Sequence, residues 1–240
     1  MRDILSAGLA ELGLAPPPGA VAALEQYAAL LMEQNKVMNL TAITEPEAVA
    51  RLHFLDSAAL LSRGAAGDAW WRGKRVIDVG TGAGFPGLVL KLLEPSLSLT
   101  LLDSLGKRVT WLESVCASLG LDGVRCLHAR AEEQSLEPGF RDSFDAAVSR
   151  AVAPLPLLCE LCLPYVQVGG LFLAMKSVDS GAETLAARQA VRRLGGELLE
   201  PEDYTIPGTD VVHRLILVRK TAPTPKGYPR KWAKIKKEPL

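Results

Sequence analysis

A glycine-rich turn that follows a short apolar run constrains the fold of this chain more than any other feature. Residues 75–79 read RVIDV, and the sequence GTGAGFPG follows from Gly80 to Gly87. Because glycine permits positive φ and carries no side chain, a ligand can lie directly against the backbone of such a loop. Two alternatives stay open at this point: a tight strand-to-helix turn without a ligand, and dinucleotide binding, whose fingerprint is GxGxxG rather than the GxGxG found here.

The chain from residue 74 onward alternates short apolar runs with helical stretches. This pattern is typical of a parallel sheet with crossover helices. The turn at 207–210 is short enough to make a hairpin, so the final strand is expected to run antiparallel to the others. The seven predicted strands are, roughly, 75–80, 98–103, 124–129, 144–149, 170–176, 197–206 and 211–219.

The first 70 residues read as helical. Apolar residues recur at helical spacing between 20 and 35, at Val21, Leu24, Ala28 and Leu31. A second helix is expected to run from near Thr44 to about Ser62, because Thr44 and Glu47 match a capping box and Pro46 suits a first helical turn.

The length and the distribution of charge predict the domain organisation. A chain of 240 residues suits one α/β domain with a short extra element. The formal net charge is zero, yet eight of the 27 basic residues lie between Arg219 and Lys237, where no acidic residue occurs. We therefore expect a helical extension over 1–70 that packs on the core, a core over 71–220, and a basic tail over 221–240 that lies over the surface or stays mobile.

Cysteine usage and hydropathy exclude several classes of protein. The four cysteines are too few for a disulfide scaffold and do not form the paired CxxC arrangement of a zinc site, so we expect reduced thiols and no metal. The N-terminus lacks the pattern of a signal peptide. The most apolar window, 155–175, is interrupted by Glu160, Pro164 and two glycines, which does not suit a membrane span. The sequence therefore predicts a cytoplasmic protein that does not enter a membrane.

Charged residues follow the predicted strands at the edge where open α/β sheets bind ligands. Asp103 ends the second strand and is expected to accept the ribose hydroxyls of a nucleoside, with capping of the next helix as a compatible alternative. The run 130–132, Arg-Ala-Glu, is well placed for an adenine. Arg150 ends the fourth strand, where a surface salt bridge is the simpler explanation. NAD and S-adenosylmethionine both carry adenosine, so Asp103 alone does not separate them.

Taken together, these motifs resemble one known family from about residue 35 to the C-terminus. The chain looks like a member of the RsmG (GidB) family, bacterial 16S ribosomal RNA guanine-N7 methyltransferases. The resemblance implies a class I fold dependent on S-adenosylmethionine: a Rossmann-like, seven-stranded, mostly parallel sheet with an antiparallel last strand, helices on both faces and an N-terminal helical extension. The segments that carry it are Asn39-Leu40-Thr41, His53-Phe54-Leu55-Asp56-Ser57, Asp78 to Gly87, Asp103-Ser104 with Lys107-Arg108, Arg130-Ala131-Glu132, Ser149 to Ala153 and Tyr228-Pro229-Arg230.

The motifs and the resemblance together define the candidate site. The resemblance implies that Lys176 faces the substrate, and His53 and Asp56 either shape the pocket mouth or share a hydrogen bond on a helix surface. Trp232 or Tyr228 could stack on a base. The chain departs from the family at Ser177 and at Trp232-Ala233, where glycines are more usual. The expected cofactor-binding residues are Asp78, Gly80, Gly82, Gly84, Phe85, Asp103, Ala131, Glu132 and Arg150; the expected substrate-binding residues are His53, Asp56, Lys107, Arg108, Lys176, Lys226, Tyr228, Arg230 and Lys231.

The implied reaction needs no catalytic dyad. Guanine N7 carries a lone pair and no proton, so its attack on a sulfonium methyl requires positioning rather than a general base. The expected partner is 16S ribosomal RNA or the small ribosomal subunit, bound by a monomer, and the expected product is S-adenosylhomocysteine. The alternatives are a methyltransferase for a small molecule or another RNA, a nicotinamide oxidoreductase, which lacks its GxGxxG loop here, and a non-catalytic RNA-binding module, which would make no use of the strand-end charges.

Overall fold

The computed structural model of the chain describes residues 1–63 and 67–240. Its centre is a sheet with the strand order β3-β2-β1-β4-β5-β8-β6, and β7 pairs with β8 beside β6. In the described residues the strands are β1 (Arg75–Val79), β2 (Ser98–Asp103), β3 (Val124–His128), β4 (Phe144–Arg150), β5 (Val166–Ser177), β6 (Gly196–Leu198), β7 (Glu202–Thr205) and β8 (Val212–Lys220).

The strand directions confirm the predicted fold class. Strands β1 to β5 pair in parallel, and β8 runs antiparallel to β5. The hairpin is confirmed too, because β7 and β8 pair on either side of the turn at 207–210. One predicted strand is wrong: 197–206 forms two short strands instead of one. The break falls next to Pro201, which has no backbone N–H to donate to a neighbouring strand.

The helices cover both faces of the sheet. A π-helical segment, Ala50–Leu55, joins α3 to α4, and a short 3₁₀ turn, Leu163–Tyr165, precedes β5. The α-helices in the described residues are α1 (Arg2–Glu11), α2 (Ala20–Met38), α3 (Pro46–Val49), α4 (Asp56–Ser62), α5 (Gly67–Trp70), α6 (Gly87–Leu93), α7 (Gly106–Ser118), α8 (Ala131–Gln134), α9 (Leu155–Cys162), α10 (Gly181–Arg193) and α11 (Trp232–Lys237).

Alternating strand residues divide the core into two apolar layers. Successive side chains of a strand point to opposite faces. Val76 and Leu101 therefore pack with the N-terminal helices and α6, whereas the adjacent Ile77 and Leu102 pack with α9 and α10. The N-terminal helices thus share one of the two layers with the sheet.

The two predicted N-terminal helices are present, with one correction. Helix α2 buries Leu24, Ala28 and Leu31, as predicted, and the stretch 46–62 is helical throughout. The capping box is wrong, because Glu45 is the N-cap and makes no side-chain cap hydrogen bond. Pro46 explains the shift, since proline favours the first helical position and holds the preceding residue extended.

The tail, residues 221–240, lies over the surface of the α9 layer. Fully buried Ile235 on α11 packs into that layer. Just before the tail, the Lys220 ammonium is fully enclosed and donates to Asp142 Oδ1 (2.6 Å), Thr224 Oγ1 (2.7 Å) and two backbone carbonyls. From the sequence, the tail was expected to lie over the surface or to stay mobile, and neither α11 nor the burial of Ile235 was predicted.

Among helices of the described residues, none is long and apolar enough to cross a membrane.

Candidate active site

The glycine loop between β1 and α6 is held from below by Asp78. This side chain is fully buried, and its Oδ2 accepts hydrogen bonds from Thr81 Oγ1 (2.7 Å) and from the Gly87 amide (2.8 Å). Burial raises the pKa of Asp78 to about 6. A direct cofactor contact was predicted for Asp78, but the structure places its carboxylate beneath the loop, where it fixes the loop's shape.

The loop glycines serve different surfaces. Gly80 (φ 72°) lines a cleft at the sheet edge, whereas the amide of Gly82 donates to Asp103 Oδ2 (3.0 Å). Gly84 (φ 94°) faces the N-terminal helices, since a Cβ there would lie 2.5 Å from the Tyr27 hydroxyl. Of these three glycines, Gly80 is the one on the cleft wall, and packing against Tyr27 explains why residue 84 is a glycine; the cofactor contacts of Gly82 and Gly84 stay predictions.

We name the cleft beside the glycine loop the loop cleft. It measures about 230 Å³ and lies at the carboxyl edge of β1, β2 and β3. Of the predicted adenosine site, Gly80, Ala131 and Glu132 are on its wall, and Glu132 Oε1 accepts a hydrogen bond from Arg130 Nε (2.6 Å). The lining residues are Val79, Gly80, Leu102, Ser104, Ala129, Arg130, Ala131, Glu132, Val152, Leu161 and Trp232.

Asp103 lies at the rim of the loop cleft, between two lining residues, Leu102 and Ser104. Its Oδ1 accepts from the Leu105 amide (2.8 Å), and its Oδ2 accepts from the Gly82 amide and faces Arg108 Nη1 at 3.5 Å. Leu105 is the N-cap of α7, so Asp103 supports the start of that helix. The two amides occupy two of the about four acceptor sites of a carboxylate, and the Arg108 contact is long, so two sites have capacity for further donors. The ribose contact stays a prediction.

A second cavity, which we name the Arg150 cavity, lies on the other side of the β4 end. It measures about 500 Å³, within the range of about 300–1,000 Å³ common for ligand pockets. The lining residues are Ile43, Leu52, His53, Asp56, Arg150, Ala151, Met175, Lys176, Ser177, Val211 and His213.

The Arg150 guanidinium organises this cavity. Its Nη1 donates to Asp56 Oδ2 (2.9 Å) and to the Leu52 carbonyl (3.1 Å), and its Nη2 donates to His53 Nδ1 (3.1 Å). The guanidinium also lies 4.9 Å from the centre of the Phe85 ring, which stacks on His53. Arg150 and Asp56 are mostly buried, so the surface salt bridge considered from the sequence is wrong. Neither Arg150 nor Phe85 lines the loop cleft, and their cofactor contacts stay predictions.

Asp56 and His53 form the polar wall of the Arg150 cavity. Asp56 Oδ1 accepts from the Tyr204 hydroxyl and from His213 Nδ1, both at 2.8 Å. Burial raises the pKa of Asp56, but the hydrogen bond from His213 and the charge of Arg150 outweigh it, so this pKa lies below its ordinary value. Burial, aided by Arg150, lowers the pKa of His53 to about 4. Both side chains thus face the cavity instead of sharing a hydrogen bond on a helix surface.

His53 is therefore neutral near pH 7, and its partners select one tautomer. Because Nδ1 accepts a hydrogen from Arg150, the ring hydrogen resides on Nε2, which donates to Thr41 Oγ1 (2.8 Å). The imidazole is thereby fixed at both nitrogens.

The loop after β4 separates the two cavities. Ala151 lines the Arg150 cavity, whereas the next residue, Val152, lines the loop cleft. Lys176 Nζ holds this loop by donating to the Ala153 carbonyl (2.7 Å) and to Glu183 Oε1 (2.6 Å), and Glu183 also accepts from the Leu155 amide. Lys176 thus lines the Arg150 cavity, on the predicted substrate side, and also fixes the loop that separates the two cavities.

The remaining predicted RNA-binding residues divide into exposed and engaged groups. Lys107, Lys226 and Lys231 are exposed, and Tyr228 is half-buried. Arg230 is engaged instead, because its guanidinium and backbone amide bind the carboxylate of fully buried Glu160, with Nη2 2.7 Å from Oε2. Arg230 therefore has a structural role in anchoring the tail, and its phosphate contact stays a prediction. Arg108 is partly engaged with Asp103.

Sequence reasoning missed three side chains that line or support these walls, Tyr204, His213 and Glu183, and it assigned Trp232 to base stacking instead of to the loop cleft. For the first two a signal existed, because the predicted hairpin register sets Tyr204 directly opposite His213. Within the described ranges no group of three or more His, Cys, Asp or Glu could hold a metal ion.

Comparison with known proteins agrees with this geometry. The family model described as GidB, rRNA small subunit methyltransferase G, matches residues 20–204. A protein from Symbiobacterium thermophilum named ribosomal RNA small subunit methyltransferase G is 45% identical over 244 residues, covering 100% of this chain and 98% of its own. A relative of the same name from Alkaliphilus oremlandii is 42% identical over 240 residues, with 100% and 99% covered. A solved structure, an SAM-dependent methyltransferase from Aquifex aeolicus, has the same fold, with a TM-score of 0.53, 16% identity, and 75% of this chain and 96% of that chain covered.

The sheet order, the glycine loop and the cleft at the strand ends define a class I methyltransferase fold. Helices on both faces and an antiparallel last strand complete it. The chain belongs to the GidB family, rRNA small subunit methyltransferase G. The resemblance drawn from the motifs is therefore confirmed.

Proposed function

We propose that this protein transfers a methyl group from S-adenosylmethionine to N7 of a guanine in 16S ribosomal RNA of the small subunit. Family membership and the names of relatives that align along the whole chain support the substrate class. The fold of the solved neighbour supports the cofactor class. The guanine and its N7 atom follow from the family resemblance of the motifs.

The observation that carries the proposal is the partition between the two cavities. Consecutive residues, Ala151 and Val152, line the Arg150 cavity and the loop cleft respectively. A donor in one and a base in the other would be separated by a single turn of backbone, which is the arrangement that a group transfer between two bound molecules requires.

The residues of the loop cleft fit an adenosyl group. Gly80 lines the cleft with no side chain, Leu102 and Leu161 offer apolar surfaces to a purine, and Asp103 at the rim offers acceptors to ribose hydroxyls. Ala131 and Glu132 would border the adenine. The sulfonium of S-adenosylmethionine, when bound, supplies the methyl group.

The Arg150 cavity would hold the target base. N7 needs no deprotonation, so the role of the cavity is to orient the base and exclude water. The ion pairs Arg150–Asp56 and Lys176–Glu183 make its walls rigid. Because N7 lies in the deep, narrow major groove of A-form RNA, the target guanine belongs to a loop or an opened segment. The exposed Lys107, Lys226 and Lys231 would contact phosphates.

The test is a methyl-transfer assay with labelled S-adenosylmethionine on ribosomal RNA and on small subunits from a strain lacking the modification. We expect one labelled guanosine in 16S RNA, identified as 7-methylguanosine after nuclease digestion. RNA transcribed with 7-deazaguanosine lacks the nucleophilic nitrogen and serves as the matched control, which should accept no label. Label on another atom or only on small molecules would overturn the proposal.

A further inference from the structure

The tail contributes an aromatic side chain to the loop cleft. Trp232 is the first residue of α11, and its indole lines the cleft together with Ala131 and Glu132. The Arg130 guanidinium lies 5.3 Å from the centre of the indole ring, within the distance of a cation–π contact. Among the described residues that line the cleft, Trp232 is the only aromatic one.

Several contacts fix the tail in this position. Two residues before Trp232, Arg230 binds both carboxylate oxygens of Glu160 on α9, and three residues after it Ile235 is fully buried. Upstream, Arg141 donates to the carbonyls of Thr224 and Tyr228, both at 2.8 Å. The indole is therefore held against the cleft by core contacts on either side of it.

The composition of the cleft explains what an indole does there. A purine has two apolar faces, and aromatic side chains stack on them without regard to base identity. Leu102 and Leu161 give the cleft apolar surface but no flat ring, whereas Trp232 supplies an aromatic face with the Arg130 guanidinium close to it. These two lie beside Ala131 and Glu132, where the adenine is expected.

We propose that the tail is part of the cofactor site, with Trp232 closing the adenine end of the loop cleft over the adenosyl group. This inference rests on the proposed function, since it requires that the loop cleft bind an adenosyl compound. The tail would then have two roles. The exposed Lys231 and Lys234 would contact RNA, and the indole on the same segment would contact the cofactor.

Binding of S-adenosylhomocysteine to the full chain, measured by calorimetry, tests the inference. Trp232→Ala should weaken binding roughly tenfold or more, whereas Trp232→Phe, which keeps an aromatic face, should stay within about threefold of the parent chain. The probe 5′-methylthioadenosine, which has the adenosine without the amino acid, should lose the same factor. Wild-type affinity in Trp232→Ala, or a loss confined to S-adenosylhomocysteine, would overturn the inference.

Tryptophan fluorescence gives a second readout that does not depend on how well the alanine variant folds. Adding S-adenosylhomocysteine should change the emission of the parent chain and of Trp70→Phe, but not that of Trp232→Phe. Trp70 is the matched control, since it packs edge-on against Trp71 and does not line the loop cleft. An emission change that survives in Trp232→Phe would overturn the inference alone. Failure of the parent chain to bind either adenosyl compound would overturn the proposed function as well.

Discussion

The loop cleft and the Arg150 cavity lie on either side of one short loop, yet they are built in different ways. Most residues of the loop cleft lie at the ends of β1, β2 and β3 or directly after them, and only Val152, Leu161 and Trp232 of the lining residues come from later segments. The Arg150 cavity depends on side-chain contacts between residues 94 to 157 positions apart, such as Arg150 with Asp56 and His213 with Asp56.

This difference separates binding from folding. Removing Asp103 from the rim of the loop cleft frees two backbone amides, but the glycine loop beneath is still held by Asp78. Removing Asp56 from the Arg150 cavity leaves a buried charge and two further donors unpaired, because Asp56 is shared by Arg150, Tyr204 and His213. We therefore expect mutations in the first region to act on cofactor affinity and mutations in the second to act on stability and on methyl transfer.

The largest effect is expected for Asp103→Ala. Loss of two charge-assisted hydrogen bonds to ribose, about 1.5–3 kcal/mol each, should lower the affinity for S-adenosylhomocysteine by about two to four orders of magnitude. The fold should survive, at a cost of about 1–3 kcal/mol for the Gly82 and Leu105 amides left without their acceptor. Calorimetry and urea unfolding measure the two quantities. Unchanged affinity would show that the ribose assignment is wrong.

Asp56→Ala should give the reverse result. Removing one partner of a buried ion pair costs about 3–5 kcal/mol, so the urea midpoint should fall clearly. The affinity for S-adenosylhomocysteine should stay within about threefold, while methyl transfer to RNA is lost because Arg150 and His213 lose their common acceptor.

The exposed ion pair Asp203–Arg214 supplies the matched control for Asp56→Ala. Asp203→Ala also removes a carboxylate that is paired with an arginine, but this pair lies on the solvent side of the β7–β8 hairpin. The urea midpoint, the affinity for S-adenosylhomocysteine and methyl transfer to RNA should therefore stay unchanged. If Asp56→Ala lowered cofactor affinity as far as Asp103→Ala does, the two regions would not be separable.

The pH dependence of stability should reveal opposite contributions from the two regions. The pKa of His53 is lowered by burial from 6.5 to about 4, so the unfolded chain binds the proton first and stability is lost as pH falls through this window. The pKa of Asp78 is raised by burial from 3.8 to about 6, so the folded chain binds the proton first and stability is gained over nearly the same window. Each shift corresponds to on the order of 3 kcal/mol.

Single substitutions expose the two contributions. Between pH 6.5 and 4, His53→Gln should become more stable as pH falls, and Asp78→Asn should become less stable, while the parent chain changes little. Asp56 does not interfere, since its folded pKa lies below 3.8 and its contribution is lost only at lower pH. Urea midpoints across this range measure the effect. If the stability of both variants changed with pH in the same direction, His53 and Asp78 would not make opposite contributions.

The same contrast explains what the sequence could predict. The loop cleft follows from local motifs, because the carboxyl ends of parallel strands meet at one edge, so the sequence alone placed Gly80, Ala131 and Glu132 together at this edge. The wall of the Arg150 cavity draws on the far hairpin, and no local pattern connects Tyr204 with Asp56.

The tail shows a further limit of sequence reasoning. Its composition indicated a basic surface segment, yet Arg230 pairs with Glu160, an acid inside an apolar helical run. A buried acid in such a helix requires a partner, which is a signal that was present in the sequence. Which residue pairs with Glu160 depends on how the tail returns to the α9 layer, and composition carries no information on that path.

The smallest effect is expected for an exposed lysine beside the loop cleft. Lys107→Ala should weaken RNA binding uniformly and lower the slope of log affinity against log salt by roughly 0.7–0.9, the value of one phosphate contact. Affinity for S-adenosylhomocysteine should not change, because Lys107 does not line the loop cleft. Arg72→Ala, an exposed cation before the amino end of β1, is the control and should leave the slope unaltered. Equal slopes for Lys107→Ala and the parent chain would show that the RNA does not pass the start of α7. The target base would then reach the Arg150 cavity from another side.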